Sequence, residues 1–179
     1  MTRPALPPLE TRRSQVEKKK ILLIGYGNPA RGDDGLGPAL AAGAARLGIP
    51  GLHVETPFQL SVEDALLVAE HEEVIFADAT LDGPEPFSFL PQEGEEGRET
   101  FTTHSVQPGS LVALAEELFS SRPRAWVLGI RGYEFEMFTE KLTPRAEKNL
   151  QAALRFLASR LGCGGFPEAP AGDKLGEKR

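Results

Sequence analysis

The residues of this chain best suited to chemistry are acids at the ends of apolar runs. "ILLIGYGNPARGDDGLG" (21–37) runs through Gly25-x-Gly27 and then presents Asp33 and Asp34. "EVIFADA" (73–79) is apolar until Asp78, and His104 follows within "TTHSVQP". Two carboxylates and one imidazole suit a borderline divalent cation such as zinc or nickel. Three protein ligands leave a coordination position for water or a substrate group. Asp34, Asp78 and His104 are 44 and 26 residues apart, so only a fold can assemble them. Asn28, Asp33 and Gln59 lie where they would support such a site or contact a substrate.

A second chemistry competes at the same loop. "GYGNPA" fits G-x-G-x-x-G/A through Gly25, Gly27 and Ala30, and Glu55 stands where a ribose-binding acid is expected. A nucleotide-binding module is therefore the alternative. Two features oppose it. Pro29 and Gly32 delay the helix whose N-terminal amides would meet a pyrophosphate. Asp33 and Asp34 also put negative charge there, and like charges 4 Å apart repel by ~4 kcal/mol at an effective dielectric near 20. Both acids have plainer roles to weigh. Asp33 and Asp34 complement the dipole of the following helix, worth roughly 0.3–1 kcal/mol each if exposed. Asp78 can cap a turn, and His104 can satisfy backbone groups near a helix start. His53, beginning a strand at the opposite edge, and His71, near a helix end, are read as non-catalytic.

The elements that must position these residues follow from periodicity and punctuation. Apolar runs predict strands at 21–25, 52–56, 73–79 and 125–130, with an extra short strand at 86–90. Helices are expected at 37–47, with Pro38 in its first turn, and at 61–70, with Ser61 as N-cap and Asp64 three residues later. In the second of these, Val62, Ala65, Leu66 and Ala69 share a face. Further helices are expected at 107–120, started by Pro108, and at 143–162, capped by Thr143, with Pro144 first and Gly162 last. The alternation predicts an α/β fold: three layers, α/β/α, around an open, mostly parallel twisted sheet of about five strands with helices on both faces. In such sheets ligands sit beyond the carboxyl ends of the strands, which is where Asp34, Asp78 and His104 fall.

The chain has 179 residues, 40% hydrophobic and 26% charged, enough for one domain over 21–162. No apolar run approaches the roughly 18 residues that span a bilayer. Residues 1–20 hold six Lys/Arg and two Asp/Glu and lack the apolar segment of a signal peptide; they are expected to be a disordered basic tail. Residues 163–179 are Gly/Pro/charge-rich and are expected to be a flexible tail. The basic start leaves −10 for the remainder of a chain whose net charge is −6. That acidity argues against nucleic acid or an anionic membrane as partner. The single cysteine, Cys163, excludes an intrachain disulfide and fits a reducing cytoplasm.

Four segments in one order resemble the hydrogenase maturation proteases, the endopeptidases that trim the C-terminus of [NiFe] hydrogenase large subunits. "GYGNPARGDDGLG" resembles their opening motif, G-x-G-N-x-x-x-x-D-[DE]-x-x-G. "VIFADAT", "THSVQPGSLVALA" and "WVLGIRGYEFEMFTEKLTPRAEKNLQAAL" resemble the later segments, so the likeness spans about 21–160. The resemblance implies metal ligands at Asp34, Asp78 and His104, with Asp34 where the family often has Glu. It implies nickel carried in by the substrate, with zinc or cadmium as a surrogate. It further implies an aspartic-type endopeptidase in which either Asp34 or Asp78 activates water as a general base, or the metal lowers the water's pKa and polarises the scissile carbonyl. The implied partner is a large-subunit precursor met in the cytoplasm by a monomer. "TPFQLS" (56–61) departs from the Gly-Thr segment of the best-known members, and the Glu-rich loop 91–103 is unusual. A relative that only grips a nickel-loaded partner, as a non-catalytic chaperone, is a further alternative.

Overall fold

The computed structural model describes residues 19–94 and 106–162. The expectations for residues 1–18, 95–105 and 163–179, including His104, Cys163 and most of the Glu-rich loop, lie outside the described residues.

Four strands are parallel: β1 (Ile21–Gly25), β2 (Leu52–Glu55), β3 (Glu73–Thr80) and β5 (Arg124–Arg131). β4 (Phe87–Gln92) joins the edge of β5 antiparallel, giving the order β2-β1-β3-β5-β4. Both faces of the inner strands are covered, so they read as continuous apolar runs rather than alternating ones. Ile21, Leu23, Ile75, Ala77, Leu128 and Ile130 pack under α1 (Leu36–Ala45) and α4 (Pro144–Gly162). The alternate residues Leu22, Ile24, Val74 and Phe76 pack under α2 (Asp64–Ala69) and α3 (Pro108–Phe119).

α1 approaches β1 and β3 closely because glycines stand at the contact. A Cβ on Gly25 would lie 2.2 Å from the Gly37 carbonyl oxygen, and one on Gly37 would lie 2.5 Å from that of Ala77. α1 starts at Leu36 only after a 3-10 turn over Gly32–Gly35, where the sequence shows no helix signal.

The expected helix 61–70 is shorter. Backbone bonds from Asp64 N to Ser61 O, Ala65 N to Val62 O and Leu66 N to Glu63 O make a tight i→i+3 lead-in. Ser61 does not cap with its hydroxyl, which donates to Asp64 Oδ2, while the same oxygen accepts the Ser61 N–H at 2.8 Å. The tighter lead-in rotates the buried face to Ala65 and Val68 and leaves Val62 and Leu66 exposed. Lys19 and Lys20, expected in the basic tail, are instead tied to β3. The Lys20 carbonyl accepts from Glu72 N and Glu73 N, and the Lys19 ammonium meets Glu73 at 3.0 Å.

Among the described residues no helix is long and apolar enough to cross a membrane.

Candidate active site

The chain leaves β1 toward α1 and β2 on one side, and later returns as β3 on the other. This reversal opens a crevice beyond the carboxyl ends of β1 and β3. The Asp33–Asp34 loop follows β1, and Asp78 lies near the end of β3, so both acids reach that crevice.

The loop is folded on itself. Asn28 Oδ1 accepts from Ala30 N at 2.9 Å, and Asn28 N donates to Asp34 Oδ2 at 3.1 Å. Gly27 has φ +134°, and a Cβ there would lie 2.1 Å from the Asp34 carbonyl oxygen. Gly27 thus lets the chain turn tightly enough for the Asn28 amide to hold the Asp34 carboxylate. The same packing fills the turn with the chain's own backbone. Glu55, the ribose-binding acid of the nucleotide reading, instead meets His53 Nε2 at 3.0 Å.

Asp33 points the other way and is fully buried. Its carboxylate accepts from Tyr133 N (2.8 Å), Glu134 N (3.2 Å), Thr143 N (2.7 Å) and Thr143 Oγ1 (2.9 Å). Thr143 Oγ1 also accepts from Ala146 N at 3.2 Å, capping α4 as expected. Asp33 therefore braces the segment between β5 and α4 against the first loop and leaves no oxygen facing a substrate. The sequence offers Asp33 as a complement to the helix dipole or as support for the site; its hydrogen-bond partners lie about a hundred residues away.

Asp78 is mostly buried, and that burial pushes its carboxyl up to about 6. The nearby Asp34 charge raises it further, while the Ala79 N–H (2.7 Å to Oδ1) and the Tyr26 hydroxyl act in the opposite direction. Tyr26 donates to Asp78, and burial together with that charge pushes the phenol well above its ordinary range. Tyr26 was missed in the sequence. Its signal is positional: with Gly25 paired to Ala77, the residue that follows β1 falls beside Asp78.

Gln59 is exposed on the segment leaving β2. His104 is outside the described residues, and among those described no group of three or more His, Cys, Asp or Glu is placed to hold a metal ion. Asp34 and Asp78 could supply oxygen ligands to a cation whose remaining ligands come from elsewhere.

A groove of about 560 Å³ runs beside this loop, with Pro29, Pro38, Ala39 and Leu142 on its walls and Glu140, Lys141 and Glu147 among its charged lining residues. Large apolar side chains are exposed on three segments that leave the carboxyl ends of strands. They are Phe58 after β2, Leu81 after β3, and Met137 and Phe138 after β5. Phe138 is 90% exposed and held at φ +64°, a conformation costly for a side chain of its size.

No protein-family model matches the chain, and no curated protein matches it by sequence. Solved structures do. The [NiFe] hydrogenase maturation protease HycI from Thermococcus kodakarensis KOD1 superposes with a TM-score of 0.64 at 20% identity, over 82% of this chain and 95% of that one. The hydrogenase 2 maturation peptidase from Thaumarchaeota archaeon SCGC_AB-539-E09 gives 0.60 at 24%, over 80% and 99%. The hydrogenase maturating endopeptidase HybD from E. coli gives 0.58 at 20%, over 81% and 94%. The chain has the hydrogenase maturation protease fold. Within that fold the Asp33–Asp34 loop and Asp78 lie at the topological crevice, and the groove adjoins the loop through Pro29, Gly32 and Gly35.

Proposed function

We propose that the protein is a cytoplasmic hydrogenase maturation endopeptidase. It cuts the C-terminal extension from a nickel-loaded [NiFe] hydrogenase large-subunit precursor. The observation that carries the reading is the pairing of Asp34 with a desolvated Asp78 in the crevice of this fold. The four resembling sequence segments and the structural neighbours support it.

Two carboxylates in one partly buried site repel each other, and a cation relieves that repulsion. Nickel carried by the substrate is such a cation. Asp34 and Asp78, with His104, are the residues we assign to recognising it. The Asp78 carboxyl, near 6 without a cation, is held as the proton-accepting carboxylate once nickel sits beside it. Asp78 Oδ1 is engaged by the Ala79 amide. In this reading its other oxygen takes the proton of the attacking water and later returns it to the departing amine. Tyr26 holds the carboxylate in place. The groove past Pro29 and Leu142 accommodates extended polypeptide, and the apolar rim suits a protein-sized substrate.

Incubating the full chain with a nickel-loaded precursor should release a C-terminal peptide detectable by mass spectrometry. Asp78→Ala should slow that release by ~10²–10⁴-fold. Co-purification with the precursor without cleavage would replace this reading with the non-catalytic chaperone. Equal cleavage by Asp78→Ala would remove Asp78 from the chemistry.

A further inference from the structure

At the amino end of the sheet, far along the strands from Asp78, two of the chain's three histidines face each other. His53 lies on β2, the edge strand, and His71 follows α2. His53 Nδ1 stands 3.3 Å from His71 Nε2. The outer nitrogens are both engaged. His71 Nδ1 lies 2.7 Å from the Leu67 carbonyl oxygen, and His53 Nε2 lies 3.0 Å from Glu55 Oε1.

Neither a carbonyl nor a carboxylate oxygen can donate a hydrogen bond, so both outer nitrogens must carry the protons. In the neutral rings both inner nitrogens then present lone pairs to each other across 3.3 Å. Something electron-poor must sit between them. A single proton can do so, and so can a metal ion. Nitrogens about 2.0–2.1 Å from a tetrahedral zinc stand roughly 3.3–3.4 Å apart, which matches this spacing. Ligating histidines commonly have their far N–H tied to a carboxylate or a backbone carbonyl, and here one ring has each. The rings open on a cavity of about 510 Å³ lined also by Glu70 and Lys20, with room for coordinating water.

We propose that His53 and His71 form a two-imidazole site for a borderline divalent cation of the zinc class, completed by water. It is separate from the carboxylate crevice. Hard cations such as magnesium prefer oxygen donors and are excluded by the donor set. Because β2 is an edge strand, an occupied site clamps it to the turn between α2 and β3.

The test is calorimetric titration of the untagged full chain with Zn²⁺, in an Asp78→Ala background that weakens the crevice as a competing site. One equivalent should bind, and Mg²⁺ should give no heat. His53→Gln and His71→Gln should each weaken Zn²⁺ binding at least tenfold, and Glu55→Gln should weaken it less. In NMR spectra the ring signals of His53 and His71 should move with the first equivalent of metal. Both histidines are partly exposed, so the variants should melt like their parent in metal-free buffer. Absence of binding at millimolar Zn²⁺, or unchanged affinity when His53→Gln and His71→Gln are combined, overturns the proposal.

Discussion

β3 carries a carboxylate near each end, and the two meet opposite surroundings. Glu73, at its start, is fully buried. One of its oxygens takes both the Lys19 ammonium and the Arg124 guanidinium. Asp78, near its end, is also largely desolvated, but its charged neighbour is another acid, Asp34. A buried charge with opposite charges against it is a structural solution, although a costly one. A buried charge facing a like charge is unstable without a proton or a cation, and such instability is what a reactive site requires. Asp33 makes the contrast sharper. It adjoins Asp34 in sequence and is more buried than Asp78, yet four donors neutralise its demand for solvent. Thus burial does not mark the chemical acid; what the acid faces does.

The largest effect that would break this contrast is expected at Asp33. Asp33→Ala strips partners from three backbone amides and the Thr143 hydroxyl. Leaving buried donors unmade costs about 1–3 kcal/mol each, with incomplete additivity, so a loss of about 3–5 kcal/mol is expected in urea unfolding. A loss below about 1 kcal/mol would mean that the segment between β5 and α4 is not braced as described.

Asp78 should behave in the opposite sense. Its carboxyl lies near 6 in the folded chain against 3.8 as a reference. Between those values the folded state binds more protons, so this group's stabilising contribution is complete below 3.8 and is lost as pH rises through 6. A shift of this size corresponds to about 2–3 kcal/mol. In metal-free buffer, Asp78→Asn should therefore be more stable than the parent at pH 8 by up to about 2–3 kcal/mol, and nearly equal to it at pH 4. A variant less stable than its parent at pH 8 would place Asp78 with Glu73 and Asp33 as a structural acid.

The contrast was only half legible in the sequence. Apolar runs between glycines and prolines specify β1, β3 and β5 and their order, because both faces of these strands are covered and their central residues must be apolar. That layout is enough to bring Asp34 and Asp78 to one edge. The lead-in to α2 was not legible, since Ser61 and Asp64 fit a capping box equally well as the tight turn they form. Nor was the role of Asp33, because three of its four donors are backbone amides, and the fourth, the Thr143 hydroxyl, carries only the signature of a helix cap. The pairing of His53 with His71 depends on how α2 ends against the edge strand, a tertiary detail that neither residue announces.

The smallest expected effect is at Tyr26, and it sharpens the contrast without breaking it. Its hydroxyl is the side-chain donor that favours the charged form of Asp78. Tyr26→Phe keeps the ring packed with Leu22 and Ile24 and removes that donor. The Asp78 carboxyl should then titrate higher, by up to about one pH unit, or roughly 1.4 kcal/mol. Carboxyl-carbon NMR would read this directly in the metal-free protein. In the peptidase reading the base must be deprotonated. The acid limb of the kcat/KM profile, which reports the free enzyme, should therefore move to higher pH, with cleavage reduced severalfold near pH 6 and recovered above pH 8. If Tyr26 only filled space, the titration of Asp78 would stay where it is. If it were the proton donor to the leaving group, the rate would fall equally at every pH. The shape of the profile therefore separates a residue that tunes the acid from one that shares its chemistry.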